Sequence, residues 1–518
     1  MLAGSEPGPS LTLTPEPSVP TFDVATSPLT SADRALVAVG AFAAASGERS
    51  DPPELAPDAL QLAEALDLDV VAELSSLDFD GSVGSLARIP TRGQIPAATV
   101  LVVGLGKTDD AGATQLRRAA AAVAGAAERV TDLGTSLHLA VADLEPEAAA
   151  QAVAEGLLLG SYRFSSFQTD PRPFELTSVT FHAPENDDAV RRGADVAIIT
   201  AGAACLTRDL VNTPPQAKRP PALADRAAAE VADLPIVVNI LDEQALADGG
   251  YGGILGVGQG SSEPPRLVEL TYAPEGASRH VVLVGKGITF DTGGISLKPS
   301  ASMETMKLDM AGAATVLATV KAAAQLELPV KVTGLMALAE NMPSGTATRV
   351  SDVLTMKDGT TVEVINTDAE GRLVLGDALV HASELEPDAI VDVATLTGAA
   401  TVALGSRIGA LLSSDDDLAA AIERAGEDSG EPLWRLPLAS EEYGERLEGA
   451  IADIKNSAGR EAGTIFASLF LHRFVGEDIP WAHLDVAGTA WADEARGEIS
   501  KGGTGVPVRT LLSWLRSA

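Results

Sequence analysis

Two hydrophobic patterns alternate along the chain. Short runs of apolar, often β-branched residues are typical of buried strands, and stretches with an apolar residue every three or four positions are typical of helices packed on a core. The two patterns follow one another repeatedly in the first third of the chain, which predicts a small α/β domain. The predicted strands are 35–42, 99–103, 136–141 and 178–182, and the predicted helices are 57–66, 114–130 and 146–160.

A longer helical pattern follows at about 189–210 and ends before Pro214 and Pro215, because prolines stop helices. We expect this helix to bridge two domains. Helices and strands alternate again from Ala222 onward, so the predicted fold class is α/β, with a small N-terminal α/β domain (34–184) and a larger C-terminal α/β domain (185–518). The second domain should have a mostly parallel central sheet flanked by helices. Residues 1–33, rich in Pro, Ser and Thr, are predicted to be a partly disordered extension that could hold one strand around 11–14.

Charged residues are concentrated in the segment 366–372, which reads Asn-Thr-Asp-Ala-Glu-Gly-Arg between an apolar run and a helical pattern that begins at Leu373. In an extended backbone Asp368, Glu370 and Arg372 would project from one face. Two close carboxylates repel each other unless a cation lies between them or one of them takes up a proton, so a divalent metal is one explanation of the pattern. The alternative is that the acidic side chains cap the helix at its positive end.

A second polar segment lies about eighty residues upstream. A predicted buried strand at 281–284 leads to Lys286 and Asp291, and Asp309 lies near the start of a later helical pattern. Ligand sites in α/β sheets gather at the carboxyl ends of strands, which favours the metal explanation. Three of the ten lysines of the chain, Lys286, Lys298 and Lys307, fall within 22 positions. A lysine beside metal-bound carboxylates can ligate the metal when deprotonated or stabilise an oxyanion when protonated, and the alternative is that these lysines are ordinary surface residues.

Composition narrows the function classes. The chain has 37 Lys and Arg against 72 Asp and Glu, and its formal net charge of −35 disfavours binding to nucleic acids or anionic lipids. The six histidines form no His-Glu-x-x-His pattern, so any metal site must consist mostly of carboxylates. The single cysteine, Cys205, fits a reducing compartment. The start of the chain shows no signal peptide, and the apolar stretch 35–45 is too short to span a bilayer, so we expect a cytoplasmic protein without membrane contact.

The segments 284–299 and 366–373 resemble the two signatures of the leucyl (cytosol) aminopeptidase family, bacterial type, in the order and spacing of that family. The resemblance extends over roughly residues 185–518. It implies a dinuclear metal-dependent aminopeptidase that uses a metal-activated water to release single N-terminal residues, preferably leucine or other apolar residues, from peptides. It also implies a homohexamer.

The resemblance further implies the roles of single residues. One metal would be held by Asp291, Asp368 and Glu370, and a second, more exchangeable one by Lys286, Asp291, Asp309 and Glu370. The ions would be Mn²⁺ or Zn²⁺, with Co²⁺ and Mg²⁺ also compatible with such ligands. Lys298 would stabilise the oxyanion, and Arg372 would hold a bicarbonate that accepts the proton of the water. Small or apolar residues would line the pocket for the first side chain of the substrate, namely Met306, Thr395, Leu396, Gly398, Ala487 and Ala490.

Three other functions compete with this interpretation. A metal-dependent phosphohydrolase could use a similar carboxylate site, but the phosphate-loop-like segment 104–108 has Leu101 where that motif requires glycine. A DNA-binding protein on an aminopeptidase scaffold would need a basic surface, which the charge makes unexpected. A catalytically inactive scaffold would require the loss of a motif residue, and all seven are present.

Overall fold

The computed structural model describes residues 20–45 and 51–517. The chain folds into two compact units, of which the first ends at Ile198 and the second begins at Ile199. The long predicted helix is present and spans Asp187–Asn212, so the division between the units falls inside it. The strand expected around residues 11–14 lies outside the described residues.

The first unit is an α/β structure built on one seven-stranded sheet. Its described elements before the long helix are β1 (Thr21–Ala25), β2 (Leu36–Phe42), β3 (Glu54–Leu55), α1 (Pro57–Ala65), α2 (Val70–Ser76), β4 (Leu86–Pro90), β5 (Thr99–Gly104), α3 (Ala113–Ala126), β6 (Asp132–Thr135), α4 (Pro146–Ser161) and β7 (Ser178–His182). Strands β1, β7, β6, β2 and β5 lie side by side and are parallel, whereas β4 pairs with β5 and β3 pairs with β2 in antiparallel fashion. Leu36 and Ala38 of β2 enter one core and Val37 and Val39 the other, because successive side chains of a strand point to opposite faces.

One predicted strand of the first unit is wrong. Residues 136–141 do not form a strand, because β6 ends at Thr135 and residues 137–139 form a 3-10 turn. The Thr135 hydroxyl donates to the carbonyl of Ala38 at 3.1 Å and accepts the N–H of Leu137 at 3.1 Å, which turns the chain out of the sheet. In addition, β1 was not predicted and places residues 21–25 of the expected extension in the sheet beside β7.

The second unit contains the predicted larger sheet, and the α/β fold class is confirmed. Its described elements after the long helix, α5, are α6 (Pro220–Glu230), β8 (Ile236–Leu241), α7 (Glu243–Asp248), α8 (Gly252–Gly258), β9 (Arg266–Tyr272), β10 (His280–Asp291), α9 (Ser300–Met303), α10 (Ala311–Gln325), β11 (Lys331–Asn341), β12 (Val353–Thr355), β13 (Thr361–Glu363), α11 (Gly371–Glu384), β14 (Ala389–Ala394), α12 (Gly398–Leu404), β15 (Gly409–Ser413), α13 (Asp416–Ser429), β16 (Leu433–Arg435), α14 (Ser440–Tyr443), β17 (Ile454–Lys455), α15 (Gly463–His472), β18 (Trp481–Asp485), β19 (Trp491–Ala492), β20 (Gly502–Gly503) and α16 (Val508–Ser517).

Eight of these strands form the large sheet in the order β16-β15-β18-β14-β10-β11-β9-β8. The four central strands, β18, β14, β10 and β11, are parallel, and antiparallel pairs occur toward the edges. Val281 and Leu283 of β10 enter the core that includes α10, whereas Val282 and Val284 enter the core that includes α11. The central strands are therefore buried on both faces, which explains why they consist of continuous apolar runs.

Candidate active site

Strand β10 positions two of the predicted metal ligands. The predicted end of this strand near Val284 is wrong, because β10 continues to Asp291 and contains Lys286. Strand β14 pairs with β10 only as far as Gly285, whereas β11 follows it to the pair of Asp291 and Asn341. Lys286 and Asp291 therefore lie at the carboxyl-end edge of the central parallel strands, where ligands bind in α/β sheets.

Residues 366–370 form a turn and not the predicted extended segment, so the expectation that Asp368, Glu370 and Arg372 share one strand face is wrong. Asn366 favours the turn, because its side-chain oxygen accepts the N–H of Asp368 at 3.0 Å and its carbonyl accepts the N–H of Ala369 at 3.2 Å. Helix α11 begins at Gly371, and Glu370 makes no capping hydrogen bond through its side chain although it precedes the helix. Glu370 thus lies at the positive end of the helix, as the capping alternative requires, but its side chain caps no N–H group.

Lys286 joins two of the predicted ligands. Its Nζ lies 2.8 Å from Oδ1 of Asp309 and 3.0 Å from Oε1 of Glu370, and it donates to the carbonyl of Thr395 at 2.9 Å. The hydroxyl of Thr395 donates to the same Asp309 oxygen at 2.7 Å. A Cβ at Gly371 would lie only 2.5 Å from Cε of Lys286, so glycine is what allows the start of α11 to approach this lysine.

Lys298 joins the two remaining carboxylates. Its Nζ lies 2.8 Å from Oδ2 of Asp291 and 2.5 Å from Oδ1 of Asp368. The other oxygen of Asp291 accepts the N–H of Gly293 and the side-chain amide of Asn341, both at 2.8 Å. The structure thus brings the five predicted metal ligands and Lys298 into one cluster, in which Asp368 and Lys298 are half-buried and the other four residues are buried.

The chemistry of this cluster fits a divalent cation. Carboxylate oxygens of Asp291, Asp309 and Glu370 lie within 4.8 Å of one another. The four carboxylates and two ammonium groups leave two negative charges when all are ionised. Within the described part of the chain, Oδ2 of Asp309 and Oε2 of Glu370 are buried without a hydrogen-bond partner, which is costly for a carboxylate. Oxygen ligands with one amine suit Mn²⁺, Zn²⁺ and similar ions.

Burial and neighbouring charges shift the pKa values in the cluster. Burial raises the pKa of Asp309 well above its usual range despite the charge of Lys286. Burial, with the charge of Glu370, also raises the pKa of Asp291 to about 6, although Lys298 and Lys286 oppose the shift. Burial alone would lower the pKa of Lys286, but Asp309, Glu370 and Asp291 raise it above its ordinary value. A cation that enters the cluster therefore competes with protons for these ligands.

Arg372 lies in the first turn of α11 and is buried. Its Nη1 donates to the carbonyl of Asn456 at 2.8 Å, and its guanidinium lies 5.7 Å from the centre of the Phe466 ring. Burial lowers the pKa of Arg372 to about 10, and the charges of Glu370 and Asp485 oppose this shift. The side chain therefore remains positively charged at neutral pH.

Asp485 fixes the loop that carries Thr395. Its Oδ1 accepts the N–H groups of Leu396 and Ala487, both at 3.1 Å, and its Oδ2 accepts the hydroxyl of Thr397 at 2.7 Å. Since Thr395 contacts both Lys286 and Asp309, this arrangement ties the loop to the charged cluster. Gly398, at the start of α12, has open space where a Cβ would lie.

The other predicted pocket residues have different surroundings. Met306 begins a 3-10 turn that ends at Leu308, directly before Asp309. Ala490 is buried in the same core cluster as Val486. The structure thus connects Thr395 to the charged cluster through hydrogen bonds. Leu396 and Ala487 are bound to Asp485, and Ala490 lies in the core.

Three polar residues of the site were missed from the sequence: Asn341, Asn456 and Asp485. Asn341 is the last residue of β11, the buried strand that pairs with β10. A polar residue at the end of an apolar run is a signal in the sequence that could have identified it. Asn456 and Asp485 hydrogen-bond to groups about 90 positions away along the chain. Hydrophobic periodicity reports only on local structure, so it gives no sign of such partners.

Comparison with known proteins identifies the family. The family model described as "Cytosol aminopeptidase family, catalytic domain" matches residues 205–512, and the model of the N-terminal domain of the same family matches residues 38–171. The chain belongs to the cytosol aminopeptidase family. The probable cytosol aminopeptidase of Streptomyces coelicolor is 46% identical over 483 residues, which cover 89% of this chain and 92% of the relative. That of Micrococcus luteus is 46% identical over 489 residues, covering 90% and 93%.

Two solved structures share the fold of this chain. A mutant of tomato leucine aminopeptidase is similar with a TM-score of 0.86 and 32% identity, covering 98% of this chain and 98% of that one. The bottromycin maturation enzyme BotP in complex with Mn is similar with a TM-score of 0.83 and 42% identity, covering 93% of this chain and 99% of that one. The chain is therefore a metal-dependent aminopeptidase, a hydrolase of peptides.

The helices within residues 20–45 and 51–517 are too short or too polar to cross a membrane.

Proposed function

We propose that this aminopeptidase binds two divalent metal ions per subunit and releases single N-terminal residues, preferably leucine or another apolar residue, from peptides. The observation that carries the proposal is the largely buried cluster of four carboxylates and two lysines, in which Oδ2 of Asp309 and Oε2 of Glu370 have neither a hydrogen-bond nor an ion-pair partner among the described residues. Mn²⁺ is the first candidate because a similar enzyme was solved in complex with Mn. Zn²⁺, Co²⁺ and Mg²⁺ are compatible with the same ligands.

The proposed ligands divide into two overlapping sets. Asp291, Asp368 and Glu370 would hold one ion, and Lys286, Asp291, Asp309 and Glu370 would hold the other. When bound, the two ions would lower the pKa of a shared water and polarise the scissile carbonyl. Lys286 would have to lose its proton to act as a ligand, which is expected for an amine beside a dication.

Lys298 is suited to stabilise the developing oxyanion. Burial alone would lower its pKa, but Asp291 and Glu370 raise it above its ordinary value, so its ammonium group keeps the proton at neutral pH. A fixed ammonium group inside a buried site can donate a hydrogen bond to the negative charge that forms on the substrate carbonyl.

Arg372 is suited to hold an anion, and we propose that the anion is bicarbonate. Its guanidinium is charged at neutral pH, and its buried Nε has no partner within the described part of the chain. Bicarbonate held there would accept the proton that the attacking water releases. A guanidinium could not do this itself, because it does not give up its own proton in proteins.

The preference for leucine rests on the proposed pocket. The first side chain of the substrate would contact Met306, Thr395, Leu396, Gly398, Ala487 and Ala490. Glycine and alanine leave room for a branched apolar side chain. Apolar walls offer few hydrogen-bond or ion-pair partners to a charged side chain.

We also propose that the enzyme acts on peptides in the cytoplasm as a homohexamer without a nucleic-acid or membrane partner. The net charge of −35 supports the absence of a nucleic-acid partner and of a membrane partner, because it repels phosphate groups. Sedimentation should give a mass about six times the 53.0 kDa of one chain. A species of monomer mass would contradict the hexamer.

The activity is tested by hydrolysis of leucine p-nitroanilide by the purified protein before chelation, after chelation, and with Mn²⁺ or Zn²⁺ restored. We expect activity to vanish with the chelator, to return with the metal, and to be absent from Asp368→Ala. Asp352→Ala is the matched control, since Asp352 is a carboxylate paired with the exposed Arg349. Hydrolysis of p-nitrophenyl phosphate in place of the anilide would favour a phosphohydrolase.

A further inference from the structure

Asn456 is a buried residue that the proposed chemistry does not use. Its Oδ1 accepts the N–H groups of Ile365 at 2.8 Å and of Asn366 at 3.3 Å. Its Nδ2 donates to the carbonyl groups of Asn366 at 2.7 Å and of Ala369 at 3.3 Å. A carboxamide offers two donors and two acceptor positions, and all four are used here. The side chain is 0% exposed.

The backbone of Asn456 makes two more connections. Its N–H donates to the carbonyl of Glu363 at 3.0 Å, at the end of β13. Its carbonyl accepts Nη1 of Arg372 at 2.8 Å. One residue therefore contacts the strand before the turn, the turn itself and the arginine after it.

The turn 365–369 needs such a partner. It lies between the end of β13 at Glu363 and the start of α11 at Gly371, so no regular strand or helix satisfies its backbone groups. Backbone groups that lose contact with water and find no partner cost free energy, and Asn456 supplies partners for four groups of this partly buried turn. This turn carries Asp368 and precedes Glu370, and metal ligands must be held within about 0.5 Å of a productive position.

We propose that Asn456 is a positioning residue that holds this turn so that Asp368 and Glu370 present their carboxylates to the metals, and that holds Arg372 beside them. The inference rests on the metal site proposed above. The chemistry requires asparagine in particular. Aspartate has no donor for the two carbonyl groups, serine has too few groups, and glutamine is longer by one methylene.

The test is calorimetric titration of the chelator-stripped, full-length protein with Mn²⁺, which measures binding independently of activity. Removing a residue that orients metal ligands typically weakens metal affinity 10- to 100-fold, and we expect a loss of about this size for Asn456→Ala. Asp453→Ala is the matched control. Asp453 accepts two hydrogen bonds from Thr361, at 2.9 and 2.6 Å, and so joins β13 to the segment before Asn456 without touching the turn. Its Mn²⁺ affinity should stay within about twofold of the wild type.

Each outcome is decisive. Equal Mn²⁺ affinity of the wild type and Asn456→Ala, even with a lower melting temperature, would mean a merely structural role and would overturn the inference. If circular dichroism shows that Asn456→Ala does not fold, Asn456→Ser decides. Serine adds no charge and offers one donor where asparagine offers two, so we expect weaker Mn²⁺ binding, and equal or tighter binding overturns the inference. A wild-type protein that binds no Mn²⁺ would overturn the proposed metal site itself.

Discussion

At the scale of single residues, the two lysines determine how the carboxylates are arranged. Lys286 joins Asp309 to Glu370, and Lys298 joins Asp291 to Asp368. Each lysine therefore connects carboxylates from different segments of the chain. The two differ in expected role, because Lys286 would bind metal and Lys298 would act on the substrate.

Replacing Lys298 should affect catalysis more than substrate binding. Removal of one donor to a developing oxyanion typically costs about 10²- to 10³-fold in kcat, and we expect this loss for Lys298→Ala with little change in KM. Steady-state hydrolysis of leucine p-nitroanilide measures both constants. Lys357→Ala is the control, since Lys357 pairs with Glu384 on the surface of α11. Wild-type kcat in Lys298→Ala would contradict the role.

Asp377 should make stability depend on pH. It is buried in α11 and accepts the N–H groups of Ile254 and Lys357, both at 2.9 Å. Burial raises its pKa to about 7, against the effect of these N–H groups. The folded protein then binds the proton more tightly than the unfolded chain, whose aspartate pKa is about 3.9. The stabilisation is complete below that value and is lost as the pH rises to about 7.

Urea unfolding followed by tryptophan fluorescence measures this effect. All four tryptophans, at 434, 481, 491 and 514, lie in the second unit together with Asp377. Between about pH 5 and 6.5 the free energy of unfolding of the wild type should fall with rising pH more steeply than that of Asp377→Asn, by up to about 1.4 kcal/mol per pH unit. Equal slopes in the two proteins would contradict the raised pKa.

The sequence predicted which residues form the site better than it predicted their contacts. Four of the five proposed ligands and Lys298 were named from two motifs and Asp309 from the helical pattern that follows the first motif, and the structure brings them together. The contacts of Asn456 and Asp485 were not predictable, because the residues they hold are distant in the chain. The roles of Arg372 and of the pocket residues remain predictions.

At the scale of elements, the site depends on how closely α11 approaches β10. Glu370 precedes this helix and Gly371 begins it, and a Cβ at Gly371 would overlap the end of the Lys286 side chain. The sequence indicated a helix after the acidic motif but placed its start two residues late. Residues 366–370 were predicted to be extended. The turn at Asn366 was missed because it depends on a side-chain hydrogen bond, which hydrophobic periodicity does not report.

Gly371→Ala tests the close approach of α11 to Lys286. Alanine is the better helix former by up to about 1 kcal/mol, but overpacking against a buried side chain typically costs about 1–3 kcal/mol, so stability should fall. The added methyl group would displace Lys286, and we expect leucine p-nitroanilide hydrolysis to fall by at least about tenfold. Gly202→Ala in α5 is the control, because a Cβ there would meet nothing within 4 Å, and it should keep full activity. Full activity in Gly371→Ala would show that the close approach is not required.

At the scale of the whole molecule, the sequence predicted two α/β domains, and the family models cover both parts of the chain. The alternation of strand and helix patterns was sufficient for the fold class, because buried parallel strands are read directly from apolar runs. The strand order of the large sheet was not predicted. It depends on pairings such as β10 with β11 and β14, which periodicity along one strand does not encode.

The most direct test of the two-metal site is the number of Mn²⁺ ions bound per chain, measured by elemental analysis after dialysis against buffer that contains Mn²⁺, with the Mn²⁺ of the buffer subtracted. We expect two ions for the wild type and one for Asp309→Ala, because Asp309 would serve only the second ion. Asp291→Ala should lose both, because Asp291 would ligate both. One ion or none in the wild type, or two ions retained by Asp291→Ala, would contradict the two-metal site.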